Sequence, residues 1–522
     1  MQLPQSLLRV KEALSRFVDR YNRFGRRVFG PKVLLGYLVI LNLFIYFDRG
    51  VVSGILDKLE KKWDLSKSEQ GGLGSAFMVG YMIFGPIFAQ LAVKIPLKFV
   101  MFIGLVIWAC LTILCGFTGI ISDKTGFFLL AACRCLVGVG EAAYAPVAPT
   151  LLDDVAPAKY RTIYMGIFYL AMPVGVALGY GVSSLIASFL DWTVVFIGEG
   201  IAIVPFALLL LMIPPSDQYR KDRIEREESE RILGENNSLL EKREESSSQV
   251  SSLENSESQA SVAVLSETDV TSQAADGNAP EEDRHYHLFQ AIYHLVKNPV
   301  YMFALMGYTM YTFVIGALAF WGPTLVSKTL HIPMYAASLA FSAVSVVTGI
   351  VGSITGGIVL DKIGGSKGMA GSARGLMLCA IFIFIALLIG FGAFSTDIIA
   401  VYFILLFMAE FFIFSITSPV NVAFLSVVST NLRNYSMSFQ IFVIHAIGDF
   451  PSPYAMGWFA DYIGKKNGLK ISILFLWSIL AFSVIFFFFG FLIARSKAKM
   501  EEKRQALQDL KKESYQRAKS GL

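Results

Sequence analysis

Asp48 and Arg49 lie within one apolar run, Arg134 and Glu141 within another, and Glu410, His445 and Asp449 within two more. Each of these runs is long enough to cross a lipid bilayer. A charge near the bilayer centre costs at least a few kcal/mol, so each needs a partner of opposite sign or a water-filled cavity. Carboxylates, arginines and a histidine so placed can pair with one another, bind protons, or hold a charged headgroup. Asp48 stands about 16 residues into the first run, about 24 Å from its start at 1.5 Å per residue. Arg134 stands roughly 10 Å below the opposite end of the fourth run by the same rise. The two share a depth, which permits an ion pair, and Glu141 follows Arg134 by two turns on nearly the same face. Either this set is a static buried network that specifies packing, or its pairing changes with protonation and couples proton movement to substrate movement. In the second case Glu141 is the preferred proton carrier, because it lies deeper and Asp48 can claim Arg134.

His445 and Asp449 are spaced i, i+4, one helical face apart, and form a natural titrating pair. That spacing also suits metal ligands, but no further ligand cluster accompanies it, so no metal and no cofactor is expected. Glu410 is one more acid at membrane depth, assigned to a cavity in the second half. The five cysteines all fall inside apolar runs and read as packing residues. With no nucleophile–base pair or metal cluster, an enzyme is not expected.

The elements that must position these residues are transmembrane helices. The chain is 55% hydrophobic and 16% charged, and a soluble domain of that balance would expose far more apolar surface than water tolerates. Apolar spans are predicted near 33–54, 70–92, 99–119, 127–151, 162–187 and 192–213, then near 299–326, 335–361, 374–394, 397–425, 435–460 and 470–494. The organisation is thus a basic amphipathic segment, 1–31, suited to lie on a membrane surface; a six-helix bundle, 32–214; a hydrophilic loop, 215–290, too poor in apolar residues to fold; a second six-helix bundle, 291–494; and a charged tail, 495–522. Lys and Arg crowd the ends and alternate loops, which puts both termini on the cytoplasmic side. No nucleic-acid-binding motif interrupts this pattern.

The six-plus-six plan with a long central loop resembles the major facilitator superfamily, and within it the Spinster family of lysolipid transporters. The resemblance rests on Tyr46-Phe47-Asp48-Arg49, on Arg134 through Tyr144 with Ala148-Pro149-Thr150, on Pro173-Val174-Gly175 and Leu178-Gly179-Tyr180, on Gly316 through Pro323, and on Ser438-Phe439-Gln440, His445, Gly448-Asp449 and Ser452-Pro453-Tyr454. It implies an all-α membrane transporter of twelve helices that moves lysophospholipids or phosphorylated sphingoid bases by alternating access. It also implies proton coupling through Asp48, Arg134 and Glu141, with Arg49 beside them. The alternatives are a same-fold transporter of another small solute, such as an organic anion or sugar, and a non-transporting membrane sensor. One loop departs from the superfamily pattern. Between spans 2 and 3 the expected acid is Val93 and one basic position is Leu97, leaving Lys94, while the second-half copy keeps Gly357, Asp361 and Lys362. Lys94, Asp361 and Lys362 are the gating candidates. In the central loop, Glu235 with Leu239-Leu240 matches the acidic dileucine pattern read by sorting adaptors, which favours a lysosomal or endosomal membrane over the plasma membrane.

Overall fold

The computed structural model describes residues 25, 28–145, 147–157, 161–214, 288–364, 368–429, 432–464 and 467–520. Among them, eleven helices are long and apolar enough to cross a membrane. In chain order the crossing elements are α1 (Pro31–Gly54), α2 (Lys67–Lys94), α3 (Leu97–Phe117), α4 (Lys124–Tyr144), α5 (Arg161–Phe189), α6 (Thr193–Leu210), α7 (Pro299–Leu330), α8 (Met334–Lys362), α9 (Gly368–Ser395) and α10 (Ile399–Phe414, continued by Thr417–Ser426). They end with α11 (Arg433–Val443, the turn Ile444–Asp449 and Ser452–Ile463), whose separate segments are not among the eleven, and α12 (Gly468–Ser478 and Leu480–Ser520).

The helices begin and end where the sequence chemistry places caps. Pro31 and Pro299 occupy first-turn positions where no amide hydrogen is needed, and Asn298 accepts from Val300 N at the start of α7. Ser66 and Glu69 form a reciprocal capping box at the start of α2. Without an apolar driving force between helices in lipid, close approach of backbones holds the bundle. At the α1–α5 crossing, a Cβ on Gly50 would sit 2.9 Å from Gly179 Cα, and one on Gly179 would sit 2.8 Å from Gly50 Cα, so both positions require glycine.

Each half packs within itself: α1 on α5, α2 on α4 and α3 on α6 in the first, α7 and α9 on α12 and α8 on α10 in the second. The halves meet along α2–α11 and α5–α8. We call the side where α1 and α7 begin the terminal face, and the other the distal face. On the terminal face Lys98 reaches Ile213 O at 2.9 Å and Tyr301 reaches Ser436 O at 2.8 Å. On the distal face Trp63 bonds Ile121 O at 3.1 Å and Lys470 pairs with Asp397 at 2.7 Å.

Three expected boundaries change. The span near 435–460 is not one α-helix: Phe450 N donates to His445 O at 3.1 Å, a five-residue step that widens the turn. Pro451 follows, with no amide hydrogen to continue the ladder. The hydrophilic segment does not run to 290, because a short helix, Leu288–Lys297, precedes α7 and buries Ala291 and Leu295. The tail is not separate from the last span, since helix runs unbroken through 495 to Ser520 on a Lys-, Glu-, Gln- and Ala-rich sequence of high helix propensity. The amphipathic pattern over 1–24 and the loop 215–287, with Glu235, Leu239 and Leu240, lie outside the described residues.

Candidate functional site

α1 and α4 bring the predicted first-half charges together. Arg134 Nη1 donates to both oxygens of Asp48 at 2.7 Å, and Nη2 reaches the Asp48 carbonyl at 3.5 Å. Asp48 and Arg134 are 0% and 2% exposed, so the pair is withdrawn from solvent. Glu141 takes a different cation: Arg49 Nε donates to Glu141 Oε2 at 3.0 Å. Two ion pairs thus lie side by side, each joining α1 to α4.

Aromatic faces complete the surroundings of both guanidinium groups. Arg49 lies 4.6 Å from the centroid of Tyr46, 4.8 Å from Phe77 and 5.1 Å from Tyr81. Arg134 lies 6.0 Å from Phe77 and 5.9 Å from Phe196. In a desolvated site each such face adds attraction for a planar cation. Several polar atoms of the cluster have no hydrogen-bond partner among the described residues: Arg49 Nη2, Arg134 Nε and Glu141 Oε1.

A cavity of about 200 Å³ opens between the halves. Arg49 and Arg134 line it from the first half and Asp449 from the second, with Tyr46, Phe77, Tyr180 and Phe320 among its walls. Bonds that join the halves run beside it, and Tyr180 and Ala319, which form one of them, line it. Ser75 donates to Phe450 O at 2.6 Å, Tyr180 to Ala319 O at 2.5 Å, and Ser342 to Ala177 O at 2.8 Å. At the distal rim the Asp461 carboxylate of α11 accepts from the backbone amides of Lys67 and Ser68, at 2.9 and 2.7 Å, and from the Ser68 hydroxyl. Those amides belong to the opening turn of α2, whose N–H groups have no partner inside their own helix. The molecule is therefore closed at its distal face.

The second-half residues are distributed differently from expectation. His445 Nδ1 lies 2.9 Å from Asp449 Oδ2, and the His445 ring stands edge-on to Tyr81 across the interface at 6.0 Å. Glu410 does not line the cavity. It is buried between α10 and α8, accepting from Ser345 at 3.3 Å and Thr348 at 3.1 Å, because those hydroxyls, one turn apart on α8, face it. Asp361 and Lys362 end α8 at the terminal face and are exposed. The side chains of Val93 and Lys94 lie outside the described residues.

One residue that the sequence reading passed over belongs here. Glu199 of α6 is 5% exposed, with no donor reaching either oxygen among the described residues and the Asp48 carboxyl within hydrogen-bonding reach. It lies within electrostatic reach of Asp48, Arg134 and Glu141. Its signal was the same as theirs, a lone acid in the middle of an apolar span.

Two bundles of six helices around a central, charge-lined cavity define a membrane transporter of the facilitator type, and the description "Major Facilitator Superfamily" matches residues 38–453. Among sequence relatives, a probable sphingolipid transporter, spinster homolog 1, of Arabidopsis thaliana is 31% identical over 482 residues, covering 87% of this chain and 88% of the relative. The human protein spinster homolog 1 is 27% identical over 453 residues, covering 83% and 74%. Among solved structures, a bacterial homolog of the human lysosomal transporter Spinster superposes with a TM-score of 0.66 at 17% identity, covering 90% of this chain and 98% of that one. A D-xylose–proton symporter superposes with a TM-score of 0.59 at 15% identity, covering 88% and 96%. The chain belongs to the Spinster family of the major facilitator superfamily.

Proposed function

We propose that this chain is a secondary transporter of lysophospholipid or sphingoid-phosphate-type lipids, coupled to protons and working by alternating access. The observation that carries the reading is the pair of arginines at the cavity wall, Arg49 and Arg134, backed by aromatic rings. A planar guanidinium with free donors suits a phosphate headgroup. Ligand cavities that enclose a whole small molecule run from roughly 300 Å³ upward. At about 200 Å³ this one accommodates a headgroup and leaves an acyl chain to run out between helices. The sphingolipid transporter named among the relatives agrees with that substrate class.

Coupling follows from competition for Arg49. A phosphate that engages Arg49 releases Glu141, whose buried carboxylate then has no cation and neutralises by taking a proton. In the distal-closed state Asp48 keeps Arg134 neutralised, holding α1 to α4. On this reading the basic ends and the loops of the terminal face are cytoplasmic, the residence is lysosomal or endosomal, and the Glu235-Leu239-Leu240 pattern engages sorting adaptors. Asp361, Lys362 and Lys94 close the terminal face in the opposite state.

Purified protein in liposomes tests this. Uptake of a radiolabelled lysophospholipid or sphingoid phosphate should follow an imposed pH gradient, and Glu141→Gln should flatten its pH dependence. Uptake of a sugar that neither lipid inhibits would overturn the substrate class. Binding without any movement would identify a sensor in place of a carrier, and an unchanged pH profile in Glu141→Gln would remove that residue from coupling.

A further inference from the structure

The first-half cluster holds three carboxyls, Asp48, Glu141 and Glu199, but only two guanidinium groups. Both cations are already taken: Arg134 Nη1 by the two oxygens of Asp48, and Arg49 Nε by Glu141. Glu199 remains, buried on α6 with no donor reaching either oxygen among the described residues and the Asp48 carboxyl within hydrogen-bonding reach. The charged neighbours of Glu199 are Asp48 from α1 and Arg134 and Glu141 from α4, with Cys133 of α4 in the same cluster. α3 contributes Cys115, together with the Thr112 hydroxyl, which is buried without a partner among the described residues. α3 and α6 touch at this level, where a Cβ on Gly200 would meet Ala109 O at 2.8 Å and Ile113 N at 3.0 Å. α5 carries no Asp, Glu, Lys or His, and its one arginine, Arg161, opens the helix.

An ionised Glu199 would therefore be a third negative charge in a low-dielectric site with no cation of its own, beside the Asp48 carboxylate. Such a group takes up a proton in preference to remaining charged. We infer that Glu199 is a proton-binding site, occupied in the distal-closed state and emptied when its carboxylate displaces Asp48 from Arg134. The balance is simple. One proton leaves Glu199 for the water of the opened cavity, Arg134 changes carboxylate partners, and the freed Asp48 carboxylate is met by that same water, so the cluster holds one proton fewer in the opened state. Arg134 Nε, buried and unbonded among the described residues, is the donor available to a second carboxylate. Because α1, α4 and α6 each supply one member, a change of partner moves the helices against one another.

The role in transport rests on the proton-coupled reading above, whereas the protonation itself does not, and two measurements separate them. The first is infrared difference spectroscopy of the full chain reconstituted without substrate at neutral pH, in a Glu410→Gln background that removes the other buried acid lacking a cation. A band from a protonated, apolar-sited carboxyl should be present, be lost in Glu199→Gln, and survive in Glu141→Gln. A band that persists in Glu199→Gln overturns the assignment, as does the absence of any such band. The second is lysophospholipid flux in liposomes. Glu199→Gln, an uncharged shape-match for the protonated acid, should keep exchange between equal lipid pools and lose the component driven by a pH gradient. Gradient-driven uptake retained in that variant overturns the coupling role. If unmodified protein shows exchange with no gradient-driven component while the band assignment holds, the proton-coupled reading falls and the proton site stands. A monodisperse elution profile of Glu199→Gln shows that any loss is not unfolding.

Discussion

The two halves share an architecture and handle buried charge in opposite ways. In the first, two of the three buried acids meet arginines, Asp48 with Arg134 and Glu141 with Arg49, across α1 and α4. In the second, Glu410 is met by two hydroxyls, and the His445–Asp449 pair is partly exposed, at 22% and 23% of its side chains. An ion pair in low dielectric is strongly interdependent, since losing one member strands the other. A carboxyl held by hydroxyls is served almost as well by an uncharged amide. The first half thus depends on paired charge where the second relies on neutral partners.

Removing the arginine from the more deeply buried pair should have the largest effect. Arg134→Ala strands Asp48, and breaking such a pair costs about 3–5 kcal/mol. A marked fall in thermal unfolding midpoint in detergent is expected, and a midpoint close to that of the unmodified protein would break the comparison. Arg49→Lys keeps the charge opposite Glu141 but gives up the planar contact with Tyr46, Phe77 and Tyr81. About 1–2 kcal/mol is expected at such a desolvated site, together with weaker lipid competition in a binding assay. Glu410→Gln retains an acceptor for Ser345 and Thr348 and should cost under about 1 kcal/mol. A loss as large as that of Arg134→Ala would show that the second half also depends on a charge. The smallest change is expected for His445→Gln, under about 0.5 kcal/mol for a partly exposed pair, read by the same melting experiment.

The first-half site was legible because depth is arithmetic. Rise per residue put Asp48 and Arg134 at one level, and charge complementarity did the rest. The same arithmetic did not show that Glu141 would turn to Arg49, since which neighbour a side chain faces depends on helix rotation, and one turn of α1 carries both options. Glu410 was assigned to the cavity for the same reason: its hydroxyl partners on α8 are ordinary residues until the α8–α10 packing is known. Glu199 was readable by the rule that found the others. The widened turn in α11 was not, because it is a local choice of hydrogen-bond step, and the Pro451 beside it is equally compatible with a plain kink.

The distal contact between Asp461 and the start of α2 is recorded on one side only. Its donors are chiefly main-chain amides, which every residue but proline possesses, so α2 could change almost any side chain there and keep the bond. Ser68 adds its hydroxyl, and nothing else on that strand of sequence marks the spot. A search for complementary side chains would pass it by. That bond is specified from one side by a single letter, and an edit at Asp461 would erase it with no compensating edit open to the amides it holds.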